Sequence, residues 1–169
     1  RVSEGEREAA RAITSWARKA RVIQRIEMLG FCDGKKSVDW IAEVGGKTLN
    51  LLAKGSEKHC RGQLGLSPEE HRSAIEKTVR YARRKRFTVN VYLEDWSSGV
   101  RDSFDYVFAL VQHLRELRVA RIYLADTLGT LEIRSGVAFR SMPRTTRLRT
   151  SRRTPAMRRL LRASGSCAC

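Results

Sequence analysis

Apolar residues along positions 1–131 follow two alternating rhythms. Short β-rich runs fall at Arg25–Phe31, Thr48–Ala53, Phe87–Glu94 and Arg121–Asp126. The stretches between them space their apolar residues three and four apart, as a helix with one buried face does. Ser3-Glu4-Gly5-Glu6 is a capping box, and Ala10, Ile13, Trp16, Ala17 and Ala20 then predict one helical face. A second helix is predicted over about Ser37–Val44, burying Val38, Ile41 and Ala42 and ending at Gly45-Gly46. Ser67-Pro68-Glu69-Glu70 combines an N-cap serine, proline at the first helical position and acids against the positive helix end, so a helix runs from there to about Arg86. A last helix, Asp102–Leu117, is expected to turn Phe104, Val107, Phe108, Val111 and Leu114 inward. The predicted order is α-β-α-β-α-β-α-β.

Alternation of this kind implies parallel strands joined by helical crossovers, in either an open doubly wound sheet or a (β/α)8 barrel. Periodicity leaves both open. Either architecture puts its chemistry at the C-terminal ends of the strands.

Along Val89-Asn90-Val91-Tyr92-Leu93-Glu94 the two-residue period sets Val89, Val91 and Leu93 on one face and Asn90, Tyr92 and Glu94 on the other. A parallel strand buried on both faces is apolar throughout, so a polar file ending in a carboxylate either lines a site or marks an edge strand with a wet face. Asp126-Thr127 places a second polar cluster at a strand end, where the alternative is a turn or helix cap. His59, in the segment after the Thr48–Ala53 strand, is either a ligand or a plain loop histidine. Cys60, His71 and His113 read as structural. The sequence carries no Gly-rich phosphate loop, nucleophile elbow or metal-ligand pair at helical spacing.

Charge adds a division along the chain. The formal charge is +16, but residues 132–169 hold ten arginines against one acid, Glu132, and so account for +9 of it. Two domains are therefore expected: a folded body over 1–131 and a disordered, Arg-rich tail over 132–169. No apolar run approaches the roughly 18 residues that span a bilayer, no charged-then-apolar leader opens the chain, and a cytoplasmic protein is expected. Cys32, Cys60, Cys167 and Cys169 match no zinc or disulfide spacing and read as free thiols. The first residue is Arg1, which suggests that an N-terminal portion precedes this sequence.

The segments "RVSEGEREAARAI", "LNLLAKGSEKHCRGQLGLSPEEH", "VNVYLEDWSSGVRDSFDYVF" and "RIYLADTLGTL" together resemble the metal-dependent acyltransferases that include 2-isopropylmalate, homocitrate and citramalate synthases, and the related 3-hydroxy-3-methylglutaryl-CoA lyases. The resemblance covers residues 1–131 in order and implies the barrel rather than the open sheet, here as a partial (β/α)8 barrel of about four βα units. It implies an enzyme of amino-acid biosynthesis that condenses acetyl-CoA with an α-keto acid chelated by a divalent metal (Mg, Mn or Zn). It also implies that Glu94 and Thr127 contact the keto acid, with Asn90, Tyr92 and His59 as further candidate substrate contacts. Homocitrate synthases often carry Arg and Ser where Asn90 and Tyr92 stand, so the identity of the keto acid stays open.

Two motifs of that family are missing from the sequence. They are the acid of an Arg-Asp/Glu-Gly on the first strand and the His-x-His on the strand after Asp-Thr-x-Gly, which together hold the metal. This chain is accordingly expected to bind no metal and to be inactive alone. Its open barrel edges would allow pairing with another copy. The tail lacks Lys, Asp, Asn, Gln, His, Tyr and Trp, a bias expected of GC-rich coding sequence read out of frame, and Leu131 is the expected point of a frameshift. The alternative is a genuine cationic arm that binds nucleic acid through its phosphates.

Overall fold

The computed structural model describes residues 3–130, and the expectations for the Arg-rich tail lie outside them. Helix α1 (Glu4–Lys19) opens with the capping box: Ser3 Oγ accepts from the Glu6 amide at 3.2 Å and the Ser3 amide donates to the Glu6 carboxylate at 2.6 Å. A 3-10 turn, Ile23–Arg25, leads into β1 (Glu27–Phe31) and then α2 (Lys36–Glu43). Strand β2 (Thr48–Lys54) follows, then α3 (Glu57–Leu64) and α4 (Pro68–Arg84), then β3 (Thr88–Glu94). Helices α5 (Trp96–Asp102) and α6 (Phe104–Glu116) precede β4 (Arg121–Leu124).

The strands form one parallel sheet in the order β1-β2-β3-β4. One face packs against the helices: Leu49, Leu51 and Ala53 of β2 and Val89, Val91 and Leu93 of β3 are buried with Val38, Ile41, Ile75, Val79, Leu110 and Leu114. The other face is an inner one, arranged in layers by the register. Leu29, Asn50, Asn90 and Arg121 form one layer, Phe31, Leu52, Tyr92 and Tyr123 the next, and Lys54 and Glu94 the last. In a flat sheet the edge strands would lie three spacings apart, about 14 Å. Yet Glu27 of β1 accepts from Arg121 and Tyr123 of β4 at 3.1 Å each, so the sheet curls around this face. Parallel strands in sequential order, curled and covered by helices on the outside, are the architecture of a partial (β/α)8 barrel.

Several details depart from the sequence expectations. Helices α3 and α5 were not predicted, and His59 sits on the first turn of α3 rather than in a loop. Strand β1 starts at Glu27 because its partner begins only at Thr48, and the 3-10 turn takes up the residues before it. Strand β4 stops at Leu124, where pairing with Leu93 ends. The inward residues of α1 are Thr14 and Ala17, whereas Ile13 is 50% and Trp16 62% exposed. This helix docks by polar contacts at the negative end of α2: Thr14 donates to the Val44 carbonyl, Arg18 to the Gly45 carbonyl at 2.8 Å, and Arg11 pairs with Glu43 at 2.8 Å. On α6 the core residues are Tyr106, Val107, Leu110 and Leu114, while Phe104 and Phe108 stack on each other, half-buried.

Three helices end in the same unusual way. Arg21, Arg86 and Arg118, just past α1, α4 and α6, adopt the left-handed conformation with φ of 57°, 60° and 51°. In each case the next residue, Val22, Phe87 or Val119, returns its amide to a carbonyl of the last turn. This is a Schellman closure with its apolar anchor, and arginine fills the position that glycine usually takes.

Candidate functional site

The C-terminal ends of β2, β3 and β4 converge because the turn after β2 meets helix α5 through glycines. The Gly55 amide donates to the Glu94 carbonyl at 2.6 Å, and a Cβ on Gly99 would stand 2.0 Å from the Gly55 carbonyl oxygen. The Trp96 amide donates to the Ala125 carbonyl at 3.1 Å, which ties the third strand end to the fourth.

On the inner face the last layer is an ion pair, Lys54 Nζ with Glu94 Oε2, at 13% and 26% side-chain exposure. Gly55 gives its amide to β3, so Lys54 turns its own N–H and C=O the other way, beyond the point where β1 pairing ends at Leu52. Two buried side chains from the helices satisfy those groups. The Lys54 amide donates to His71 Nε2 at 3.4 Å, and the Tyr106 hydroxyl donates to the Lys54 carbonyl at 2.8 Å. His71 Nδ1 lies 2.8 Å from the same hydroxyl, so the ring carries its proton on Nδ1 and donates to Tyr106. Burial first, and the charges of Lys54 and Arg72 second, lower the His71 pKa to about 4 and keep the ring neutral. Burial likewise pushes the Tyr106 phenol above its ordinary value.

Asp95 follows Glu94 and is buried, with φ at 60°. Its amide donates to Thr127 Oγ1 at 3.0 Å, and its Oδ2 accepts from the Ser56 hydroxyl at 2.7 Å. Ser56 also caps α3 by accepting from the His59 amide at 3.2 Å, and His59 Nδ1 stands 3.4 Å from Asp95 Oδ2. Asp95 Oδ1 has no hydrogen-bond partner among the described residues. Asp126 accepts from the Ser97 hydroxyl and from the Thr130 amide at 2.9 Å.

The five sequence candidates therefore fall into two groups. Asn90, Tyr92 and Glu94 share the inner face, with Asn90 buried, its Oδ1 lacking a described partner, and the Tyr92 ring 6.0 Å from that of Tyr123. Thr127 and His59 instead converge on Asp95, one residue further along. Lys54, Ser56, Asp95, His71 and Tyr106 were not read as site residues. The period along β2 could have found Lys54, since it shares a face with Asn50 and Leu52. An open groove of about 440 Å³ lies elsewhere, lined by Cys32, Asp33, Glu70, Ser73 and Lys77, and none of the five candidates lines it. Burial, then Asp33, pushes its Cys32 thiol up to about 12, far from a reactive thiolate.

Among the described residues no three His, Cys, Asp or Glu side chains come together as a metal site. His59 with Asp95 offers two donors, and the hydroxyl beside them is a weak third, so this donor set does not fit a divalent ion by itself.

Comparison with known proteins bears on the same region. The chain is 28% identical over 130 residues to the 2-isopropylmalate synthase of Saccharolobus solfataricus, covering 76% of this chain and 32% of that protein. It is 28% identical over 130 residues to a homocitrate synthase of Methanopyrus kandleri, covering 77% of this chain and 31% of that one. A candidate (R)-citramalate synthase of the same organism matches at 28% over 129 residues, 76% of this chain and 24% of the relative. The chain thus spans about a quarter to a third of the length of these curated relatives. The HMGL-like family matches residues 1–142. With that match running through every described strand and through the polar strand ends they carry, the chain belongs to the HMGL-like family.

Proposed function

We propose that this chain carries part of the site of an acyltransferase that condenses acetyl-CoA with an α-keto acid. The observation that carries the reading is the HMGL-like match across a sheet whose inner face ends in a charged pair at the strand ends. Relatives named 2-isopropylmalate synthase and homocitrate synthase support it. In such a condensation the thioester methyl loses a proton, the carbon left behind attacks the keto carbon, and hydrolysis of the thioester releases coenzyme A with a free thiol. The family's divalent metal would polarise the keto group. The donors described above do not hold one, so the roles assigned here stop at substrate contact. Glu94 and Tyr92 face the keto acid on the inner surface, with Asn90 beneath them in the preceding layer. Thr127 acts at one remove, because its hydroxyl fixes the Asp95 amide and so the end of β3. His59 stands beside Asp95 at the same rim.

By this reading the 169-residue chain binds a keto acid but does not turn it over alone. The test adds Mg²⁺, Mn²⁺ or Zn²⁺ with acetyl-CoA and a panel of α-keto acids to the purified chain and follows thiol release, alongside keto-acid titrations followed by amide NMR. Saturable shifts at the strand ends without thiol release are expected. Metal-dependent turnover well above background would overturn the proposed inactivity, and a folded chain that binds no keto acid would overturn the site.

A further inference from the structure

We infer that Lys54 is the cation that receives the substrate's carboxylate at the strand-end site. The inference rests on the keto-acid reading above. That reading has an anionic carboxylate, Glu94, touching an α-keto acid that carries a carboxylate of its own. Two carboxylates in contact repel, most strongly where water is partly excluded, so the pairing needs a cation between them. Lys54 is in register with Glu94 on the neighbouring strand, and its ammonium already pairs with Glu94 Oε2. An ammonium has three donors, and Glu94 is the one described hydrogen-bond partner of Nζ, which leaves donors for an incoming anion.

The backbone around Lys54 supports the same reading. Its amide and carbonyl are held by His71 from α4 and Tyr106 from α6, both buried and bonded to each other at 2.8 Å. Two helices thereby fix the one residue whose side chain must stay at the rim. A half-buried ion pair adds little stability, because desolvation offsets its attraction, so stability alone does not account for this placement. The Thr127 hydroxyl accepts the Asp95 amide and keeps one O–H to donate, but it is neutral and brings no positive charge to offset Glu94.

The experiment titrates the purified full chain with sodium pyruvate at constant ionic strength and follows the Lys54 ε-methylene and the strand-end amides by NMR. A parallel titration uses pyruvamide, which keeps the keto group and loses the charge. Saturable pyruvate shifts at Lys54 are expected, with affinity at least tenfold weaker for pyruvamide and for Lys54→Met. Pyruvate binding at the strand ends with unchanged affinity in Lys54→Met, or pyruvamide binding as tightly as pyruvate, would overturn the role of Lys54 and leave the keto-acid site standing. If Lys54→Met does not fold, the pyruvamide comparison in the parent chain decides alone. A folded parent chain with no saturable pyruvate shift anywhere overturns both readings.

Discussion

Mild acid should weaken this fold through one imidazole. His71 is fully buried and its pKa is lowered to about 4, whereas in the unfolded chain it returns to about 6.5. Below pH 6.5 the unfolded chain takes up a proton on this ring that the folded chain refuses, so stability falls as the pH drops from 6.5 toward 4 and levels off below that. At pH 5 the unfolded-state pKa lies about 1.5 units higher, and at about 1.36 kcal/mol per unit the loss is on the order of 2 kcal/mol. The carboxyls of Asp39, Glu69 and Glu70 are held below their ordinary values, so their own losses come at lower pH. Urea unfolding at pH 7, 6 and 5 measures the slope, and His71→Gln supplies the reference, since it keeps His59 and His113 and removes only this ring. The variant will be less stable throughout, but its stability should change less over that window. Equal slopes in the two proteins would refute a buried neutral His71.

Other substitutions test neighbouring contacts. Tyr106→Phe should cost about 2 kcal/mol or more in urea, because the Lys54 carbonyl and His71 Nδ1–H both lose their partner; a change under about 0.5 kcal/mol would dissolve that network. Gly99→Ala should destabilise by at least about 2 kcal/mol, since its Cβ would fall 2.0 Å from the Gly55 carbonyl oxygen, and near-neutral thermal unfolding would show that α5 does not touch the turn after β2. Arg86→Gly should raise stability by about 0.5–1 kcal/mol by removing a side chain from a left-handed position, and a measured loss would mean that the arginine makes compensating contacts.

The sequence made the strands and the longest helix legible for local reasons. Ser67-Pro68-Glu69-Glu70 announces α4 because cap, proline and acids each act within one turn, and β3 shows its two faces because Val89, Val91 and Leu93 alternate with Asn90, Tyr92 and Glu94. Helix α5 gave no such signal. Trp96-Ser97-Ser98-Gly99 has no apolar stripe, and what positions the helix is Gly99 lying against Gly55, a contact between segments distant in sequence. Helix α3 did carry a local signal, in the Ser56 cap and the left-handed Gly65, but Gly62 and its charges hid the helical period. At the site, the shared face of Asn90, Tyr92 and Glu94 follows from strand period alone. The convergence of Ser56, His59 and Thr127 on Asp95 depends on how three strand ends meet, which no single segment encodes. The stripe expected on α1 failed for a related reason: Thr14 and Arg18 satisfy carbonyls at the end of α2, so the helix turns Thr14 inward beside Ala17 while Trp16 faces out.

The left-handed arginines also bear on how this fold can change by mutation. Every arginine codon lies one base away from a glycine codon, so Arg21, Arg86 and Arg118 can each reach the residue their backbone favours in a single nucleotide step. None of these changes touches the strand ends. The helix termini therefore hold a reserve of stability, separate from the site, that a lineage can draw on whenever a substitution at the rim weakens the fold.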